Sequence, residues 1–527
     1  MEILTLILLS ALLIIGLVNM ACELKRDLMM LQQNSYRNER YMRWLRTSGD
    51  TTNYIRLCSY IALLVMMAPQ LSEKFRCAAA LAVMLINIFN LSTATYKKPL
   101  VWTPRAKRIY SVGAVLTLAA GAVIWACTRS MMWTGTYLML TYAGSHIITL
   151  FSNWLLRPVE AKINKGYYDD AARILKSKPD MKVIGITGSY GKTSTKHYLN
   201  RILSEQFNVL MTPGSYNTLM GVIRTVREMM QPYTELFICE MGAKNIGDIK
   251  EICDLVHPQI GIITAVGEQH LESFKTIENV QRTKFELADA LPSDGTVYVN
   301  NDFLYGASRQ VTNAKCVRYS IHKTDEATFW VTEMRFHENG TDFTLHTPQG
   351  DAEFSTRLIG EFNISNLIPA IAVAMQLGMP VERIRHAVSR IEQVEHRLSM
   401  KRTPGGITII DDAFNSNPDG SRMALDVLSS MTKGKRIIIT PGMIELGDKQ
   451  YEYNKRFGSK IAQSADIAII VGAYNRDAIL MGLKEAGMPE EKVRAVETFN
   501  EAQAILTTIA RPGDTVLYEN DLPDTFK

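Results

Sequence analysis

Hydrophobic and polar positions follow two different rhythms along this chain. Over the first 160 residues the apolar positions run on in long blocks. From Lys182 onward, short apolar runs alternate with amphipathic stretches. Residues 3–22 (ILTLILLSALLIIGLVNMAC) carry no charge, and about 20 such residues span a hydrocarbon core as a helix. Met1-Glu2 supplies no basic n-region, so this run reads as an uncleaved span, not a signal peptide. Four further candidate spans lie at 55–71, 77–96, 109–127 and 131–155. The weakest is 55–71, which contains Arg56 and Pro69.

Positive charge orients these five spans. The connections 23–54 and 97–108 carry eleven Lys and Arg residues, against three (Lys74, Arg76, Arg129) in the alternate connections. The cationic side is the cytoplasmic one. The reading is therefore a bacterial cytoplasmic-membrane protein, multi-pass, with the N-terminus outside and everything after residue 156 in the cytoplasm. His146 is the one titratable side chain deep in an expected span, and it reads as a packed residue. No Asp, Glu or Lys lies in the middle of a span, which favours an anchor over a transporter. The basic segment 23–54 makes membrane lipid a candidate partner.

In the second half the runs KVIGIT, VLMT, ELFICE, IGIITAV and TVYVNN alternate with helical segments. That order predicts a parallel sheet with helices on both faces. The first run leads straight into TGSYGKTST, residues 187–195. Gly188 and Gly191 let the backbone turn tightly, and Ser189, Tyr190 and Ser194 complete the loop. Lys192 can reach outer phosphates, Thr193 can ligate magnesium, and the following helix offers its N-terminus to an anion. This predicts ATP with Mg2+. Glu240 closes the run ELFICE, where a carboxylate meets ligand at the edge of such a sheet. His270 and Lys284 follow the next apolar run.

Composition narrows the picture. The 527 residues hold 58 Lys and Arg against 53 Asp and Glu, a net charge of +5. So small an excess argues against a nucleic-acid partner. With 47% apolar residues the chain can build large cores and is not disordered. Seven scattered cysteines contain no C-x-x-C pair, so they read as reduced thiols.

The ordered motifs resemble those of the Mur ligase family, the ATP-dependent amide-forming enzymes of peptidoglycan precursor synthesis. GITGSYGKTST fits T-G-x-x-G-K-[ST]. EMGA at 240–243 is followed by Gly247-Asp248-Ile249. HPQIGIITAVGEQHLESF precedes TKFEL. VNND (299–302), GEFNISN (360–366), His396-Arg397, DDAFNSNPDGSRMAL (411–425) and MIELGD (443–448) continue the series. The pattern is most similar to the branch that adds D-alanyl-D-alanine to a UDP-MurNAc-tripeptide. This resemblance implies that Lys192 and Thr193 bind phosphates and magnesium, and that Glu240 and His270 hold metal. It implies a carbamylated lysine at Lys284. Asn300 would contact adenine, Asp412 ribose, and Arg397 the phosphates. Asn217, Asn415 and Asn417 would face substrate, a cell-wall precursor with an amino acid or dipeptide.

The sequence departs from that branch in four places. Apolar segments stand where its UDP-sugar domain would be. Asn454 takes the place of a histidine after the M-x-E-L-G motif. VLYENDLPDTFK replaces V-L-x-K-G-S-R, and Pro441-Gly442-Met443 replaces G-D-M. The expected architecture is a multi-pass α-helical membrane domain (1–160) and a linker helix (161–180). An α/β central P-loop domain with a parallel sheet (181–392) and a Rossmann-like α/β C-terminal domain (393–527) follow. Two rivals stay open: a ligase of a lipid-linked precursor or another polymer, and a non-catalytic nucleotide-binding scaffold.

Overall fold

The computed structural model describes residues 2–96, 98–337, 340–413 and 416–521. The chain forms two compact units that divide between Asn164 and Lys165, inside the helix Arg157–Lys176.

The first unit is a bundle of helices Glu2–Gln33, Asn38–Thr47, Tyr54–Met67, Glu73–Thr93, Pro104–Thr128, Met131–Ala143 and Ser145–Leu155. Many of its large apolar side chains face outward: Ile7, Ile14, Phe89, Val115 and Ile147 are all more than half exposed. Asn19, Glu23, Arg56 and Asn87 are buried inside. Among the described residues, three helices, Ile3–Gln33, Glu73–Thr93 and Pro104–Thr128, are long and apolar enough to cross a membrane, and Tyr54–Met67 is a shorter apolar helix. The expected fifth span, 131–155, breaks at Gly144 into helices of 13 and 11 residues. Neither reaches the roughly 20 residues a span requires. Three helices thus meet a span's length singly, and the two short helices meet it only in succession.

The second unit holds two sheets. The larger comprises β1 (Lys182–Thr187), β2 (Val209–Met211), β3 (Leu236–Glu240), β4 (Ile260–Ile263), β5 (Thr296–Asn300), β6 (Lys315–Ser320), β7 (Phe329–His337), β8 (Gly340–Thr347) and β9 (Gly350–Thr356). Their order is β2-β3-β1-β4-β5-β6-β7-β8-β9. β1 to β7 pair in parallel, and β7, β8 and β9 are antiparallel. β1 is buried on both faces, and its two-residue period feeds two cores. Ile184 and Ile186 pack with Leu199, Leu367 and Ile371 on one side. Val183 packs with Phe237, Ile252 and Phe285 on the other. Each such fully buried aliphatic side chain contributes about 1.5–3 kcal/mol.

The second sheet comprises β10 (Ser399–Arg402), β11 (Thr408–Asp412), β12 (Arg436–Thr440), β13 (Ile467–Val471), β14 (Val493–Val496) and β15 (Thr515–Glu519). Their order is β10-β11-β15-β12-β13-β14, parallel except for β10 against β11. In the larger sheet, β1 lies between β3 and β4, where the strand order reverses direction. The crevice beyond the carboxyl ends of those strands is the ligand position of an open parallel sheet.

Candidate active site

The phosphate-binding loop leaves β1 at that crevice. Gly188 has φ 151°, and a Cβ there would sit 2.1 Å from Thr264 Oγ1. Gly191 has φ 83°, and its Cβ would sit 2.2 Å from Asn366 Oδ1. Only glycine fits both positions. Ser189 N donates to the Ala265 carbonyl at 2.7 Å, and its hydroxyl donates to Gly267 O at 2.8 Å. Tyr190 donates from its hydroxyl to Asp419 Oδ2 at 2.8 Å. That bond joins the loop to the helix Pro418–Ser429 of the second sheet's domain. The loop ends in the helix Lys192–Leu203, whose first turn carries the buried Ser194.

Lys192 Nζ donates to Gly188 O at 2.6 Å and to Ser189 O at 3.1 Å. Burial lowers its ammonium to about 8, with the Glu240 carboxylate opposing. Glu240, at the end of β3, gathers several donors. Asn217 Nδ2 donates to its Oε1 at 3.0 Å, and Thr193 Oγ1 donates to the same atom at 3.2 Å. Lys196 Nζ lies 2.9 Å from Oε2, and both residues are buried. Burial alone would raise the Glu240 carboxyl, but Lys196 and Lys192 outweigh it and hold it below the ordinary carboxylate range.

Lys196 escaped the sequence reading. It sits one helical turn beyond Lys192, on the face turned to β3. Replacing it with methionine would take the ion-pair partner from a buried carboxylate. Lys196→Met is expected to cost about 3–5 kcal/mol of stability, read by denaturant unfolding. A midpoint equal to that of the parent would contradict this role.

His270 lies in the loop after β4. Its Nδ1 hydrogen-bonds the carboxylate of Glu445, from the MIELGD segment of the second sheet's domain. Lys244 Nζ donates to the other Glu445 oxygen at 3.0 Å. Burial would raise Glu445, yet His270 and Lys244 hold it well below the usual range. Burial keeps the His270 ring below its ordinary value, so the imidazole is neutral and able to act as a ligand. Glu445 was missed because 175 residues separate it from His270. Its motif was visible, but its partner was not. Glu445→Gln is expected to lower turnover about 10- to 100-fold, as loss of a group that orients a ligand does. Unchanged turnover would remove Glu445 from the site.

Lys284, on the helix Ile277–Asp289, is 2% exposed. Among the described residues it has no ion-pair partner. Burial, then Lys192, pushes its ammonium well below the usual lysine value. A neutral amine in that position is the form that combines with carbon dioxide.

Arg397 reaches across from the second domain, with Nη2 donating to Thr193 Oγ1 at 3.4 Å. Behind it lies Asp412, at the end of β11, whose Oδ1 accepts from Leu398 N at 3.0 Å. Burial raises the Asp412 carboxyl to about 6 despite Arg397.

The structure thus gathers Lys192, Thr193, Asn217, Glu240 and Arg397. Asn300 and Asn417 are engaged in local hydrogen bonds. Asn300 Nδ2 donates to Ser365 Oγ at 3.0 Å, and its Oδ1 accepts from Asp302 N. Asn417 caps the helix Pro418–Ser429 by accepting from Gly420 N at 2.9 Å. Asn415 lies outside the described residues.

The donor set suits magnesium. Mg2+ takes one or two protein oxygens and completes its shell with water and substrate phosphates. Glu240 and Thr193 offer a carboxylate and a hydroxyl 3.2 Å apart beside the loop.

Family comparison agrees with this geometry. The Mur ligase middle domain matches residues 186–374, and the Mur ligase, glutamate ligase domain matches 396–518. UDP-N-acetylmuramoyl-tripeptide–D-alanyl-D-alanine ligase of Mycobacterium bovis is 32% identical over 363 residues, which are 64% of this chain and 70% of the relative. The chain belongs to the Mur ligase family. It is therefore an ATP-dependent ligase. The ligase of the same name from Bacillus subtilis is 28% identical, over 64% of this Mur ligase and 72% of the relative. The crystal structure of MurF from Acinetobacter baumannii is 26% identical with a TM-score of 0.61, covering 67% of this chain and 76% of that one. The matched domains begin at residue 186, so in this Mur ligase the N-terminal helices replace the UDP-binding domain.

Proposed function

We propose that this enzyme couples D-alanyl-D-alanine to the tripeptide carboxylate of a MurNAc-tripeptide cell-wall precursor. The observation that carries the reading is the gathering of Lys192, Thr193, Glu240 and Arg397 around one phosphate loop. The names of the Mycobacterium bovis and Bacillus subtilis relatives supply the substrates.

The chemistry follows from charge. A carboxylate is a poor acyl donor. Its oxygen attacks the γ-phosphorus of ATP, the bond to the β-bridging oxygen breaks, and ADP leaves. The amine of the dipeptide then attacks the carbonyl of the acyl phosphate and loses a proton, and phosphate departs with the C–O bonding pair. Lys192 meets the transferred phosphoryl group, and Arg397 brings a second cation from the other domain. Magnesium, held by Thr193 and Glu240 with His270 and a carbamylated Lys284 further along, would neutralise charge on the transferred group. Asn217 orients Glu240, and Glu445 orients His270. Positioning and fixed charge supply most of the rate.

The apolar N-terminal helices would place the enzyme in the bacterial cytoplasmic membrane. The basic connections would lie on the cytoplasmic side, with the N-terminus outside and the catalytic domains inside. The acyl phosphate is testable by trapping. With ATP, Mg2+ and UDP-MurNAc-tripeptide but no dipeptide, hydroxylamine should yield the tripeptide hydroxamate with release of ADP. Absence of hydroxamate alongside full dipeptide ligation would rule out this route.

A further inference from the structure

The segment that carries Glu445 is held more tightly than a connecting loop requires. Three side-chain amides converge on one carbonyl, that of Met443. Asn454 Nδ2 donates to it at 3.0 Å and Asn475 Nδ2 at 2.9 Å, and Gln450 Nε2 completes the set. Asn454 Oδ1 also accepts from Met443 N at 2.8 Å, so one side chain grips both polar groups of that residue. Gln450 Oε1 accepts from Leu446 N at 3.2 Å. Bonds from Gln450 therefore fall on both sides of Glu445. Asn475 Nδ2 reaches back to Pro441 O at 2.9 Å.

Two of the departures from the branch pattern meet here and fit each other. Asn454 and Asn475 are buried, and Gly442 leaves room for them. Its φ is 81°, and a Cβ there would sit 2.5 Å from Asn454 Oδ1. Neutral amides suit the place, because each offers a donor and an acceptor and adds no charge beside the Glu445 carboxylate.

Glu445 itself needs such support. Its φ is 62°, a left-handed backbone that L side chains rarely adopt and that persists where the surroundings over-determine it. From that backbone its carboxylate meets His270 and Lys244, and its carbonyl accepts from Glu272 N at 3.2 Å. We infer that Asn454, Gln450 and Asn475 are positioning residues, which fix the backbone of Glu445 so that its carboxylate orients His270. The Glu272 amide reports where that backbone stands. The inference rests on the ligand role given to His270 above.

The full chain in lipid would be prepared as parent, Asn454→Leu and Gln450→Met, each with and without Glu445→Gln. Gln450 is only half-buried, so Gln450→Met keeps the test open should Asn454→Leu fail to fold. Hydrogen exchange of the metal-free chain is the first readout. Segment 268–275 should exchange at least about fivefold faster in the single variants, with β12 exchanging as in the parent, because local opening is read amide by amide. Turnover is the second. Each single variant should lose about 10-fold, the lower end for a group that orients a ligand. With Glu445 already replaced, the further loss should be about twofold or less, the non-additivity of residues acting through one another. A purely structural role predicts the same fold loss in both backgrounds. Parent-like exchange in 268–275, or equal losses in both backgrounds, would overturn the positioning role alone. Parent-like turnover in Glu445→Gln would instead remove Glu445 from the site, and with it the reading on which this inference rests.

Discussion

Lys192→Met is expected to lower kcat about 10²- to 10³-fold, the loss that follows removal of one preorganised charge from a phosphoryl-transfer site. The KM for the amine should change little, because Lys192 faces the phosphate loop. The free enzyme carries a pH signature as well. Burial lowers the Lys192 ammonium to about 8. Its charge is present below that pH and is lost above it. The profile of kcat/KM for ATP, which reports the free enzyme, should therefore fall as pH rises through about 8. Lys192→Arg should shift that limb upward, because a guanidinium stays charged. A parent profile flat to pH 9.5 would contradict the role of Lys192.

Lys284→Ala should be comparably damaging, with kcat down about 10²- to 10³-fold and nucleotide affinity largely intact. The argument is local. A lysine 2% exposed, with no ion-pair partner among the described residues, is poorly suited to holding a charge. Burial favours its neutral amine. Addition of carbon dioxide would form an N–C bond, release a proton and leave an anion there able to hold magnesium. Parent enzyme in CO2-depleted buffer should lose activity and regain it on adding bicarbonate, while Lys284→Ala should not respond. Full turnover in Lys284→Ala would refute the carbamate.

The second half of the chain was largely legible, and the reason is periodicity. Short runs such as KVIGIT are apolar at consecutive positions because β1 is buried on both faces. The glycines at 188 and 191 mark a turn that admits no side chain. Lys196 and Glu445 were not legible as site residues. A lysine on a helix looks like a surface charge until β3 brings Glu240 against it. Glu445 gains meaning only when two domains meet at His270. The N-terminal half was legible as apolar helices, while the helix ends were not. Gly144 breaks the last stretch, and the first helix runs on to Gln33, carrying Glu23 inward to meet Arg56 33 residues away. Hydropathy averages over residues and does not register such pairs.

The central claim is dipeptide ligation, and the mass of the product tests it most directly. The full chain in lipid would be given ATP, Mg2+, UDP-MurNAc-tripeptide and D-alanyl-D-alanine. The account predicts a product heavier by one dipeptide residue, formed with one phosphate released per ligation. Phosphate release without that mass gain, appearing instead with a lipid-linked precursor or a free amino acid, would contradict it.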